Sequence, residues 1–351
     1  MTTEDAVRES FRLQARYCHE LGSPFTALLC EILGNNLDAQ TRVGREVLSW
    51  PGKPDAMNDS IPLRLAGGLH ALAMSNSEAV LTACYPPNPL PDENSFWAVL
   101  ANVLANQSAE LLPWLEHPPQ TNEVARSAVL MAGLLVVASE TKLPLRLYEV
   151  GASAGLNLIL DRYSYRLGDV EAGTSGARLR LAPRWIGSSP PNASFEVAGR
   201  RGVDLLPIDI STAAGRERLL AYVWPDQPQR LMRTRAALEI ACADPPRIEK
   251  GDAADWAENE ISIASEQGVA RVLMHSVAFQ YFSADAQKRI REHIQDVGSL
   301  ARSDAAFAWL RMEGTRNGDF SLTLTIWPSG EERILAAPHA HGTEIEWKYQ
   351  V

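Results

Sequence analysis

The chain has 351 residues, 46% of them apolar and 22% charged, a composition that buries a large core and rules out a disordered chain. At about 150 residues per domain, its length predicts two domains. The formal charge is 33 − 43 = −10, with 9 basic and 16 acidic residues up to Lys142 and 24 and 27 after it, so neither part has the basic face that phosphate-driven nucleic-acid binding needs.

The start, Met1-Thr-Thr-Glu-Asp-Ala6, is acidic and lacks the apolar stretch of a signal peptide. The longest apolar run, Ala128–Ala138, is eleven residues long, against about 20 needed to span a bilayer. Cys18, Cys30, Cys84 and Cys242 are widely spaced with no CxxC pair, which reads as reduced thiols. The expectation is a cytoplasmic protein with no membrane and no nucleic-acid partner; the sequence fixes no oligomeric state.

Up to residue 142 the pattern is helical. Phe11, Ala15, Cys18 and Leu21 share one helical face, stopped by Ser23-Pro24, and 61–74, 96–115 and 122–141 repeat the periodicity. From Leu143 the texture changes. Residues 144–150 read as a short buried strand, followed by a glycine turn and an apolar helix through Leu160. Strands are then predicted at 195–203, 246–249, 269–275 and 305–312, and helices at 228–243, 255–265 and 284–296. Residues 320–327 and 332–337 flank Pro328-Ser-Gly-Glu331 as a hairpin. The Gly- and Pro-rich stretch at about 164–194 reads as an insertion. The expected fold is α/β, a mostly parallel sheet with an antiparallel C-terminal hairpin, over 143–351, preceded by an all-helical domain over 1–142.

The chemistry concentrates in Glu149-Val-Gly151-Ala-Ser153-Ala-Gly155-Leu-Asn157. Ligands of open parallel sheets sit at the carboxyl ends of strands beside such turns, and a helix opening there offers free N–H groups to an anion. Three ligand classes use this geometry. A dinucleotide needs G-x-G-x-x-G, and Ser153 stands where the middle glycine belongs. A serine hydrolase needs G-x-S-x-G, which Gly151, Ser153 and Gly155 match, with His341 or His275 as base and Asp252 as orienting acid. S-adenosylmethionine (SAM) needs an acid at the strand end for its ammonium and then a glycine turn, which Glu149, Gly151 and Gly155 supply.

Later segments favour SAM. Gly202-Val-Asp204 ends a second strand with a carboxylate suited to the ribose diol, and Gly251-Asp252-Ala253 follows a third strand, with Asp252 placed to accept from the adenine amine. A fourth strand ends in His275-Ser276, a candidate base, and leads to Phe279 and Tyr281. About 140 helical residues precede Ser153 and no HGG-type loop lies upstream, which weighs against the hydrolase. Asn122, Glu123 and Arg126 are candidate substrate contacts, or an N-cap with an exposed ion pair. His339-x-His341 has no further ligands nearby, so no metal is expected.

The segments 120–126, 149–157, Trp224-Pro-Asp226-Gln227, Gly251-Asp252, His275-Ser276 and His341-Gly342 together resemble a bacterial family of uncharacterised proteins, over nearly the whole chain. The C-terminal half resembles class I SAM-dependent methyltransferases, which implies a Rossmann-like sheet, SAM as cofactor and a small-molecule substrate. Ser153 in the glycine turn departs from that pattern. A non-catalytic binding module on the same fold is the third reading.

Overall fold

The computed structural model describes residues 3–264, 266–315 and 318–350. It is a mixed α/β structure that divides into two compact units, one of residues 1–121 with 213–232 and one of 122–212 with 233–351. The helix at 126–141 therefore belongs to the second unit, although the sequence pattern groups it with the helices before it.

In the first unit the chain forms α1 (Thr3–Glu20), α2 (Pro24–Asn36), α3 (Arg42–Leu48), α4 (Ile61–Met74), α5 (Ala79–Cys84), α6 (Glu93–Asn106) and α7 (Ser108–Leu115). Spacing alone explains α1: Val7, Phe11, Ala15 and Cys18 form its buried stripe. Thr41 and Asp92 cap α3 and α6 by accepting from Gly44 N and Ser95 N, both at 3.0 Å. The N-terminus of α2 is held by a distant residue, Asp226, which accepts from Ser23 Oγ and from Phe25 N at 2.8 Å. The single helical pattern over 96–115 is two helices, broken at Gln107.

The second unit opens with α8 (Arg126–Thr141), buried from Ser127 through Ala138. That burial explains its continuous apolar run: this helix lies against a sheet and shows no wet face there. After β1 (Leu145–Val150) come β2 (Ser164–Leu167), β3 (Val170–Gly173), β4 (Arg180–Leu181), β5 (Arg184–Ile186) and β6 (Val197–Asp204). The chain enters the first unit for α9 (Ala213–Ala221) and leaves it within α10 (Pro228–Ala243). It continues with β7 (Ile248–Lys250), α11 (Ala253–Glu260), β8 (Ala270–Ser276), α12 (Ala284–Ser299), β9 (Phe307–Gly314), β10 (Phe320–Trp327), β11 (Glu331–Pro338) and β12 (Glu344–Trp347).

The main sheet has nine strands in the order β5-β12-β11-β10-β9-β8-β1-β6-β7. Pairings among β7, β6, β1, β8 and β9 are all parallel. From β9 through β12 they are antiparallel, a meander rather than a lone hairpin. One sheet face is covered by α8; on the other, Tyr148, Val150, Leu273, Phe307 and Trp309 share a core with Trp256 of α11 and Ile290 and Ile294 of α12.

Three sequence expectations change. No α-helix follows β1: residues 151–159 are successive turns that end in a 3-10 turn at Leu160–Arg162. Gly151, Ser153 and Gly155 have φ of +69°, +54° and +74°, so no right-handed helix opens among them. The segment at 164–194 is not a simple insertion: β3-β2-β4 form a separate small sheet, whereas β5 pairs with β12 and becomes the edge of the main sheet. The helix expected over 255–265 is α11, which starts at the Asp252 cap and ends at Glu260; its expected last residue, Ser265, lies outside the described residues. Among the described residues, no helix is long and apolar enough to cross a membrane.

Candidate functional site

Chain order places the site. From β1 the chain adds β6 and then β7 on one side of the sheet, and β8 and then β9 on the other. The reversal falls between β1 and β8, and ligands of open α/β sheets bind where the order reverses.

Glu149 lies on β1 one residue before its end, flanked by Gly202 of β6 and Met274 of β8. Parallel strands on both sides bury it to 2% exposure, and its Oε2 has no hydrogen-bond partner among the described residues. Burial, followed by the charge of Asp204, pushes this carboxyl well above the usual carboxylate range. A buried polar oxygen without a partner is costly, so its retention here points to a ligand.

The turn after β1 is held from many directions. Asp204, the last residue of β6, accepts from Ser153 N at 2.8 Å through Oδ2 and from Leu206 N at 2.9 Å through Oδ1. Asn122 Oδ1 accepts from Leu156 N at 2.8 Å, Ser127 Oγ donates to Asn157 Oδ1 at 2.7 Å, and Tyr163 donates to Leu156 O at 2.7 Å. A methyl group on Gly151 would stand 2.5 Å from Ala278 Cβ, and one on Gly155 2.7 Å from Ile248 Cδ1. Glycine is therefore required at both places, by packing as well as by φ. The third carboxylate, Asp252, follows β7 and caps α11, its Oδ1 accepting from Ala254 N at 2.8 Å and Asp255 N at 3.1 Å. Ala253 is the first residue of that helix. Glu149, Asp204 and Asp252 thus come to the carboxyl edge of three adjacent strands.

His275 is fully buried on β8. Trp309 Nε1 donates to its Nε2 at 3.1 Å, so Nδ1 carries the proton and donates to Glu313 Oε1 at 2.6 Å. Both ring nitrogens are occupied, which leaves no lone pair for a substrate proton. That geometry conflicts with His275 as general base and makes it a support for Glu313. Glu313 Oε1 also accepts from Ala278 N and Phe279 N, at 3.0 and 3.1 Å. Burial pushes the Glu313 carboxyl up, yet these bonds outweigh it and hold it below its usual range. Tyr281, the other candidate catalytic residue, is 56% exposed on the 3-10 turn Phe279–Tyr281.

Arg126 and Glu123 reach segments distant in the chain. Arg126 donates through Nε to Ala340 O at 3.0 Å and through Nη1 to Ser276 O at 3.4 Å. Glu123 accepts from Ala125 N at 3.2 Å and stands 3.8 Å from Arg233. Gly342, with φ of +68°, lets the 338–342 loop approach so closely that a Cβ would sit 2.7 Å from Ala125 O. Gly342→Ala is therefore expected to lower the urea midpoint, by about 1–3 kcal/mol in stability, because backbone atoms cannot yield as a side-chain tip would. An unchanged midpoint would mean that the loop is free to move.

Sequence reasoning missed Glu313, Trp309 and Ser127. Glu313 carried the same signal as Glu149, a lone acid near the end of an apolar strand. It also missed Val277, a β-branched residue at φ +52° directly after β8, a rare conformation that clusters at functional sites. Asp226 of the Trp224–Gln227 segment caps α2 in the first unit, and His339 and His341 pack ring to ring at 5.5 Å. No group of three or more His, Cys, Asp or Glu side chains among the described residues could hold a metal.

No curated protein and no solved structure matches this chain. Residues 8–347 match the family described as an uncharacterized protein conserved in bacteria (DUF2332), and the chain belongs to that family.

Proposed function

We propose that the second unit is a Rossmann-like SAM-binding domain and that the protein is a methyltransferase acting on a small molecule. The observation that carries this reading is Glu149, buried to 2% with an unpartnered oxygen beside the β1–β8 reversal. The parallel order β7-β6-β1-β8-β9 repeats the 3-2-1-4-5 order of nucleotide-binding folds. Glu149 would receive the ammonium of the amino-acid moiety and Asp204 the ribose diol. Asp252 keeps Oδ2 clear of its capping bonds and would accept from the adenine amine.

Bound SAM would supply an electrophilic methyl group. The chain's own part is alignment, with the turn at 151–157 rigidly held so that proximity and orientation provide most of the rate. The proton of the acceptor is not assigned to His275, whose nitrogens are engaged by Trp309 and Glu313.

Ser153 at φ +54° favours a second reading, because a strained serine after a strand is the nucleophile's place in a G-x-S-x-G hydrolase. Against it, Asp252 caps a helix, His275 bonds to Glu313 and Trp309, and no helix follows the serine. Calorimetry on the whole protein separates the two. Saturable binding of SAM, competed by S-adenosylhomocysteine, is expected. Silence to both, with fluorophosphonate labelling at Ser153, would replace the methyltransferase by the hydrolase.

A further inference from the structure

The first unit contains a cluster of cationic side chains that the SAM reading does not use. Arg64 on α4 is buried to 7% exposure. Its Nη1 donates to Leu115 O at 2.7 Å, its Nη2 lies 3.8 Å from Asp59, and its guanidinium lies 5.5 Å from the centre of the Trp50 ring. Asp59 is shared, since it also accepts from Trp50 Nε1 at 2.8 Å.

Helix α9 brings a second arginine to this place. His70 Nδ1 lies 3.0 Å from Ala221 O, and a Cβ on Gly67 would stand 2.6 Å from Tyr222 Cε1, so α4 and α9 pack closely through these turns. Arg64 lies three residues before Gly67 on the same face of α4, and Arg218 lies in the last turn of α9, which Tyr222 directly follows. Burial, and beyond it the positive charge of Arg218, lowers the Arg64 guanidinium from its usual range, so the two groups lie within electrostatic reach of each other. Arg218 Nε and Nη2 are buried with no hydrogen-bond partner among the described residues. Tyr222 donates to His117 O at 3.3 Å, which places His117 at the open rim of the cluster.

We infer that Arg64 and Arg218, with Tyr222 and His117 at the rim, form a binding site for a small oxyanion, a phosphate or carboxylate group, within the helical unit. Arg64 already donates through Nε to Asp59 O and through Nη1 to Leu115 O, so the donors left over in this cluster are Nε and Nη2 of Arg218. Buried N–H donors of a charged group are costly when unpaired, and the planar fork of arginine suits a bidentate oxyanion. The imidazole reports the same field: desolvation, then the charges of Arg218 and Arg64, hold His117 below its usual range.

The test is thermal melting of the full chain with inorganic phosphate or malonate against chloride at matched ionic strength, with His117 followed by proton NMR. The wild type is expected to gain a saturable rise in Tm with one or both anions, and the His117 pKa to move upward on binding. Arg218→Met should weaken the response about tenfold or more and retain the far-ultraviolet spectrum. Arg218→Lys, which keeps the charge but loses the fork, should recover only part of it. Phosphate preferred over malonate would identify the source as a phosphorylated molecule, and the reverse a carboxylic acid. An equal rise in wild type and Arg218→Met would be a general salt effect and would overturn the site, as would no rise in either. SAM binding in the second unit is read independently, so failure here and failure there are distinguishable.

Discussion

Asp204→Ala is expected to weaken SAM binding roughly 10- to 150-fold, the equivalent of the about 1.5–3 kcal/mol typical of a hydrogen bond to a charged group. The unliganded protein should lose stability as well, because this carboxylate holds Ser153 N and Leu206 N at 2.8 and 2.9 Å, and its removal frees the turn that lines the site. Asp204→Asn distinguishes the two effects. Its amide oxygen can retain one backbone N–H but not both, so it should recover part of the stability and less of the affinity. Calorimetry for SAM and urea melts for the unliganded protein measure the two quantities separately. Unchanged SAM affinity in Asp204→Ala would remove β6 from the proposed cofactor site.

Glu149→Gln should have effects of opposite sign on fold and ligand. The Glu149 carboxyl is pushed well above its ordinary value, near 4.5, by burial and then by Asp204. Above that ordinary value the unfolded chain releases a proton that the folded chain still holds, so the folded state binds more protons and loses stability as pH rises through its own pKa. Below the ordinary value both states are protonated and the penalty vanishes. Glutamine stays neutral throughout. Its melting temperature should match the wild type near pH 4 and exceed it at pH 8 by about 4–8 °C, on a burial penalty of roughly 2 kcal/mol. SAM should reverse the ranking at pH 8, since the ammonium partner that rewards an ionised Glu149 is lost on glutamine. A variant that melts below the wild type at pH 8 would show that an unseen partner already satisfies the charge.

Much of the second unit was legible in the sequence because its signals are local. Pro228 at a first turn marked α10 over Pro228–Ala243, since proline costs nothing where the N–H has no helical partner. Continuous apolar runs marked β1, β8 and β9, because a strand flanked by parallel neighbours and covered by helices has no wet face. The acids at 149, 204 and 252 were legible for the same reason: a charge that closes a buried strand stands out against it.

Tertiary structure alone decided the turn after β1. The composition of Leu156–Leu160 favours a helix, yet Asn122, Ser127 and Asp204, brought from far along the chain, tie down Leu156, Asn157 and Ser153 in another conformation. It also decided the part played by His275, whose nitrogens are filled by Trp309 and Glu313 from β9, and the meeting of Arg64 with Arg218 across two helices 154 residues apart in the chain. Periodicity and turn chemistry report what each residue's neighbours in sequence will allow. Where a buried polar group finds its partner, or lacks one, depends on atoms supplied by other elements, and only folding brings those together.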